Sequence, residues 1–368
     1  MSIDIGIIGL PQSGKTTIFN ALTRGKVDTV SHAPESLTPH VGITKIPEPR
    51  LKILDDMLHP RKLVPVEASY VDIGASVKGL AKDKTIGGEL LNQLGKVDAL
   101  ILVARAFSDE SIPHVEGSLD AKRDIATMDL ELAFSDLVII ERRLERIEIS
   151  LKGAKAPERQ GFLHEQETLM KFKAELEKDV PVREMTLTTS EARMVASYQF
   201  LTAKPLLIVV NIGEEQLPQT ASLEAELDSS CSREKSRVAA LCGKLEMELA
   251  QLDDSAAQEF RAEFGIKASG PERIIKLSYE LLGLVSFFTT ASNEVRAWSI
   301  QSGTTALKAA GKIHTDMERG FIRAEVISYD DLVKCGSPAE ARKKGLLRLE
   351  GKEYLVRDGD VITFLFNV

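Results

Sequence analysis

The sequence predicts an α/β fold: a doubly wound, mainly parallel sheet, interrupted by a helical insertion and followed by a smaller region rich in short strands. Three observations predict it. Short apolar runs of strand length alternate with helical patterns, a glycine-containing loop sits directly behind the first run, and the texture turns to charged helical repeats in mid-chain.

The runs lie at residues 3–8, 68–73, 99–104 and 205–210. Their β-branched content and near-continuous apolarity suit strands covered on both faces, and the helical stretches between them imply βαβ units. From 129 to about 202 the apolar residues take helical spacing. Leu137, Ile140, Leu144, Ile147 and Leu151 step by three or four, the pattern breaks over 154–161 and resumes over 163–176. This spacing predicts a helical hairpin, either an ordinary surface pair or a projecting antiparallel coiled coil. Beyond 282 the chain reads as short strands and turns around one helix, with Gly351, Gly359 and the alternating Val361, Thr363 and Leu365 near its end. The expected domains are therefore 1–128 with 203–281, an insertion at 129–202, and 282–368.

Composition narrows the class. Hydrophobic residues make up 43% and charged residues 28%, with no apolar run near the ~20 residues of a membrane span, so no membrane is expected. The N-terminus runs straight into a strand without a basic and then apolar leader, and Cys231, Cys242 and Cys335 lack metal or disulfide spacing. A cytoplasmic protein with reduced thiols is expected. The six histidines show no His-x-x-x-His spacing. A net charge of -8 opposes a uniformly positive surface, and no DNA sequence readout is expected.

Gly9-Leu10-Pro11-Gln12-Ser13-Gly14-Lys15-Thr16 fits G-x-x-x-x-G-K-[ST] between a strand and a helical pattern. The glycines let successive N–H groups turn inward as an anion nest, and the helix N-terminus adds a favourable dipole. Phosphate contact is expected from this segment, Gly9 to Thr16. Lys15 supplies the compact charge for the β- and γ-phosphates, and the Thr16 hydroxyl is placed for Mg2+. Asp72, ending the second run, is the candidate partner of that metal.

GTPases read guanine with N-K-x-D after a late strand, the Asp accepting from N1–H and the exocyclic amine. Here the slot reads Asn211-Ile212-Gly213-Glu214. Adenine offers a bare N1 acceptor where guanine offers a donor, and a buried carboxylate facing a lone pair is costly. The altered slot favours ATP over GTP; a simple turn at Asn211 and Glu214 is the alternative.

These residues resemble the Obg-like ATPases, also called the YchF type, over nearly the whole chain. The resemblance rests on Gly9-Leu10-Pro11, the segment 47–51, His114-Val115-Glu116-Gly117-Ser118 with Asp120, the N-x-x-E slot, and Arg296-Ala297-Trp298. It rests above all on the run 310–331, followed by Leu349-Glu350-Gly351-Lys352 and Asp358-Gly359-Asp360-Val361-Ile362. It implies a cytosolic ATPase with a helical insertion, a C-terminal β-grasp (TGS) domain and association with ribosomes. Carried over, Gln12, Ser13, Gly14, Lys15, Thr16 and Thr17 match the phosphate loop, and Ser36 matches the switch I threonine as a second magnesium ligand, with Thr38 a nearby substitute. Asn211 and Glu214 match the base-reading pair, and Ser222 lies where a loop backs the base.

Three departures bear on activity. Gln12 stands where the family usually has an Asn that related enzymes use to hold potassium, so K+ is a cofactor the resemblance offers and Gln12 argues against. The usual D-x-A-G-L becomes Asp72-Ile73-Gly74-Ala75-Ser76, which moves the glycine whose N–H should approach the γ-phosphate. Ser76 also replaces the family's hydrophobic residue at the position where Ras-type enzymes keep a water-orienting Gln. The expectation is a slow ATPase acting as a ribosome-associated switch; an Obg-type GTPase and a nucleotide-binding scaffold with little hydrolysis are the alternatives. Residues 301–368 hold eleven basic against ten acidic side chains, a neutral island on an acidic chain. RNA or the ribosome is expected to meet this region and the helical one.

Overall fold

The computed structural model describes residues 3–25, 27, 39–73, 86–231, 235–263, 266, 269–290 and 293–367. In chain order they form β1 (Ile3–Ile8), α1 (Lys15–Thr23), β2 (His40–Lys45), α2 (Pro49–Leu58), β3 (Lys62–Val64), β4 (Glu67–Asp72), α3 (Ile86–Lys96) and β5 (Ala99–Arg105). Three helices follow, α4 (Ala121–Leu151), α5 (Ala156–Leu176) and α6 (Thr189–Tyr198). The chain then returns to alternation with β6 (Leu206–Asn211), α7 (Thr220–Cys231), β7 (Ser236–Leu241), α8 (Gly243–Leu249), α9 (Asp254–Glu263) and α10 (Gly270–Leu281). The last stretch holds β8 (Leu284–Thr289), β9 (Glu294–Gln301), α11 (Ala306–Ile313), α12 (Thr315–Arg319), β10 (Phe321–Ser328), α13 (Tyr329–Cys335), α14 (Pro338–Lys343), β11 (Arg348–Glu350) and β12 (Asp360–Phe366). The chain divides into two compact units, one of residues 1–44 and 69–277, the other of 45–68 and 278–368.

In the first unit the strand order is β2-β4-β1-β5-β6-β7. β1 pairs in parallel with β5, β5 with β6 and β6 with β7. Every residue of β5 and β6 is buried, which is why both read as unbroken apolar runs. The order reverses direction across β1, so the C-terminal ends of β1, β4 and β5 meet at the edge where open α/β sheets bind ligands.

The insertion starts earlier than its spacing predicts. α4 begins at Ala121, where the Asp120 carboxylate accepts from Arg123 N at 3.0 Å, rather than near 129. Its first turns are not insertion at all. Ile125, Met128 and Leu132 pack in the core of the sheet, while Ile140 and Ile147 pack with Leu169, Phe172 and Leu176 of α5 and Val195 of α6. One continuous helix thus serves two cores, and a boundary at 128 cuts through it. The break between the long helices is also shorter than expected, residues 152–155, because Pro157 is tolerated in the first turn of α5.

The second unit is a sheet of order β11-β10-β12-β8-β9-β3. An antiparallel β8–β9 hairpin, a helix, and β12 set parallel beside β8 make the β-grasp arrangement. Adjacent residues point to opposite faces. Phe287, Val326 and Ile362 pack with Ala306, Ala309 and Ala310 of α11, whereas Phe288, Ile327 and Val361 pack with Leu51 and Leu54 of α2 and Leu332 of α13. Residues 45–68, expected in the nucleotide domain, therefore belong here. β3 adds a sixth strand parallel to β9, and α2 covers one face of the sheet. No helix of the described residues is long and apolar enough to cross a membrane.

Candidate nucleotide site

The loop from Gly9 to Gly14 turns through conformations that explain its glycines. Gly9 has φ +155, and a Cβ there would stand 2.5 Å from Val103 O; Gly14 has φ +90, and a Cβ there would stand 2.2 Å from Asn211 Nδ2. Gln12 takes φ 61, a left-handed value that a non-glycine residue adopts at some cost, and its side chain is exposed. Gly14 is also the N-cap of α1 and offers no side-chain acceptor, and no acidic residue stands in the first turn. Helix N–H groups without a capping carboxylate, beside an inward-turned loop, form an anion site.

Lys15 is buried, and its Nζ donates to Gly9 O at 3.2 Å and Leu10 O at 3.1 Å, folded back over the loop. The Thr16 hydroxyl donates to Asp72 Oδ2 at 2.7 Å, so the strand-end aspartate lies beside the helix as expected from sequence. Asp72 is fully buried and, among the described residues, its Oδ1 has no hydrogen-bond partner; nor has the buried Ser13 Oγ. Buried oxygens without partners call for a ligand or solvent. The pair Thr16 Oγ1 and Asp72 offers hard oxygen donors on two side chains, which fits Mg2+, an ion that keeps waters and takes substrate phosphate oxygens. Among the described residues no cluster of three or more ligating side chains exists. Ser36, Thr38 and the stretch 74–76 lie outside the described residues.

The base-side residues are placed less uniformly. Asn211 is buried at the end of β6, where its Nδ2 donates to Ser13 O at 3.1 Å and its Oδ1 accepts from Gly243 N at 3.1 Å. It braces the phosphate loop against the turn after β7, and its amide oxygen is already engaged. Ile212 sends its side chain into the sheet core, so the slot that a lysine fills in GTPases is apolar packing here. Glu214 is exposed at the start of a short 3₁₀ turn. Its charge and that of Glu215 reach Cys242, whose thiol is pushed up mainly by burial. Ser222 is exposed in the first turn of α7 and donates to Gln219 O at 2.8 Å, a local helical bond rather than a loop behind a base.

Three residues unremarked in the sequence complete the edge. Phe107, just past β5, donates its N–H to Asn211 O at 3.1 Å, and its ring Cε1 lies 3.8 Å from the point a Gly14 Cβ would occupy. Arg105, buried at the end of β5, has its guanidinium carbon 4.4 Å from the Phe107 ring centroid. Gly243 opens α8, and a Cβ there would meet Ile18 at 2.7 Å and Asn211 Oδ1 at 2.9 Å. Each stands at or just past the C-terminal end of a parallel strand, and that position was the available signal.

A family model described as 50S ribosome-binding GTPase matches residues 4–133, and the model YchF-GTPase_C, described as a protein of unknown function, matches 284–367. "Ribosome-binding ATPase YchF" of Bacillus subtilis (strain 168) is 40% identical over 370 residues, covering 100% of both chains. The chain belongs to the YchF family. Other YchF relatives span the full length too, among them the ribosome-binding ATPases YchF of Haemophilus influenzae at 37% and Escherichia coli O157:H7 at 36% identity. The structure of the Schizosaccharomyces pombe YchF GTPase superposes with a TM-score of 0.82 at 29% identity, covering 99% of this chain and 98% of that one. YchF membership makes this chain a P-loop NTPase, in agreement with the Lys15, Thr16 and Asp72 geometry.

Proposed function

We propose that the chain is a magnesium-dependent ATPase that hydrolyses ATP slowly to ADP and phosphate and acts in the cytoplasm as a ribosome-associated regulatory switch. One observation carries the nucleotide part. A left-handed loop and an uncapped helix N-terminus stand over Lys15 and the Thr16–Asp72 pair, with two buried oxygens that no group among the described residues meets. The loop N–H groups hold the phosphate chain. The Lys15 amine, now on two loop carbonyls, exchanges them for β- and γ-phosphate oxygens. Thr16 and Asp72 would hold Mg2+, with Ser36 as a further ligand, and the ion would offset charge on the phosphates. Catalysis then rests on charge stabilisation and positioning, because phosphoryl transfer needs little covalent help.

For adenine the support is the N-x-x-E slot, with Ile212 withdrawn into the core, together with the ATPase names of the bacterial relatives. A GTPase reading has one observation on its side: Glu214 is exposed and could stay turned from a guanine held by backbone groups. The fission yeast relative is named a GTPase. Ribosome contact draws on the relatives' names and on the near-neutral residues 301–368, with the C-terminal β-grasp read as a TGS domain.

The deciding measurement is calorimetric titration of nucleotide-free protein with non-hydrolysable ATP and GTP analogues, with magnesium and either sodium or potassium. ATP binding at least about tenfold tighter is expected; tighter GTP binding would overturn the base assignment. Phosphate release over hours separates slow hydrolysis from a scaffold. Lys15→Ala should cut turnover by about a hundredfold or more, with the far-ultraviolet circular dichroism spectrum unchanged. Unchanged hydrolysis would remove Lys15 from the mechanism.

A further inference from the structure

The loop that follows β5 is long, largely exposed and nevertheless tightly organised. Its organiser is Arg105, which is only 3% exposed. The Nε donates to Phe107 O at 3.3 Å, and Nη2 donates to Ile112 O at 2.8 Å and Asp109 O at 3.4 Å. The guanidinium carbon also lies over the Phe107 ring, 4.4 Å from its centroid. A buried cation with so few carboxylates in contact is an expensive choice, and burial lowers its proton affinity. An apolar side chain would fill the volume without that cost. What it could not do is tie carbonyls of three loop residues together while covering one face of an aromatic ring.

We infer that Arg105 is a positioning residue for the nucleotide site, holding the Phe107 ring against Gly14 and Asn211 so that its free face meets the base. This rests on the nucleotide reading above. Three sequence-distant groups, Gly14, Asn211 and Phe107, converge on one point; Gly14 caps α1 and Asn211 ends β6, whereas Phe107 is carried by the long loop after β5. A ring on a loop gains binding energy for its ligand only if its orientation is fixed beforehand. Arg105 supplies that fixation from beneath. Its buried Nη1 has no hydrogen-bond partner among the described residues.

The test is a double-mutant cycle of R105M, F107A and the double variant, titrated with the non-hydrolysable nucleotide that the wild type binds more tightly. Magnesium tripolyphosphate serves as a probe lacking base and ribose. R105M and F107A should each weaken the nucleotide by about tenfold, leave tripolyphosphate within about twofold, and combine to no more than F107A alone. R105K keeps a buried cation, and so a folded loop, but not the guanidinium fork; it should fall between wild type and R105M. Equal losses for both probes would reduce Arg105 to a structural role. So would fully additive losses, or an R105K variant indistinguishable from wild type. If the wild type binds tripolyphosphate but neither nucleotide analogue, the base reading itself fails and the inference with it.

Discussion

Gly14 shows how much of the site rests on an absent side chain. Its φ of +90 strains any other residue, and a Cβ would collide at 2.2 Å with the Asn211 amide that braces Ser13. Gly14→Ala therefore cannot relax locally; it must displace Asn211 and open the loop. A loss of nucleotide affinity beyond tenfold and a destabilisation of about 1–3 kcal/mol are expected, checked by calorimetry and by thermal unfolding. Retained affinity would mean that the brace is dispensable. At this scale the sequence was most informative where chemistry sits in a contiguous motif, as in Lys15 and Thr16. Asp72 was singled out because a strand end is where a metal's carboxylate partner is expected, and the structure puts it 2.7 Å from the Thr16 hydroxyl. Phe107, Arg105 and Gly243 were illegible for a definable reason. Their meaning arises only when the ends of β5, β6 and β7 come side by side, and no spacing along the chain encodes that register. Conversely, Ile212 and Ser222 stood at the right positions in the pattern, yet one side chain turned into the core and the other into its own helix.

Among the elements, the long helices were readable and their joints were not. Periodicity reports which face is buried, but it cannot say that Ile125 to Leu132 and Ile140 to Ile147 of one helix face different cores. β2, β3 and β7 went unseen: β2 and β3 are short or exposed strands with little apolar run, and β7 carries an exposed Arg237. Between the two cores of α4 lies a device with its own chemistry. The fully buried Asp136 accepts from Leu201 N at 2.9 Å, Thr202 N at 2.8 Å and Thr202 Oγ1 at 2.6 Å, tying α4 to the turn that leads into β6. Despite these donors, burial pushes its carboxyl up to about 6. A raised carboxyl pKa means that between about pH 4 and pH 6 the folded chain holds a proton the unfolded chain has released. The contribution of this group to stability is thus greatest below pH 4, falls as pH rises to 6, and is level above. Relative to the non-titrating Asp136→Asn, wild-type stability should drop by roughly 1–3 kcal/mol across that window, read as the shift in urea midpoint by far-ultraviolet ellipticity. A difference that is flat with pH would show that the three donors hold the carboxylate ionised throughout.

Over the whole molecule the chain leaves the nucleotide unit after Thr44, builds α2 and β3 into the β-grasp unit, and re-enters three residues before Asp72. A boundary at 282 is natural to read from composition, because it is where the strand-rich texture begins, but it omits one face of the second core. Leu54 is fully buried there beside Phe288, and Leu51 with it. Arg50 lies 5.2 Å from the Phe288 ring centroid and donates to Glu48 at 2.6 Å and Asp358 at 2.7 Å. Those two carboxylates raise its proton affinity further, so it stays charged. Asp358 in turn accepts from Ser286 N at 2.9 Å, which locks the turn before β12 to β8. Removing 45–68 would therefore expose an aromatic face, leave Asp358 without its arginine and strip β9 of one of its two partner strands. A fragment of residues 278–368 should melt without a cooperative transition, whereas the same fragment with 45–68 attached through a flexible linker should melt cooperatively. In the full chain, Leu54→Ala should cost about 2–5 kcal/mol, and the loss can be assigned to this unit because the protein has one tryptophan, Trp298, whose Nε1 donates to Thr289 Oγ1 at 3.0 Å within it. A fluorescence transition unmoved by Leu54→Ala, or a cooperative melt of 278–368 alone, would return residues 45–68 to the nucleotide unit in which composition first placed them.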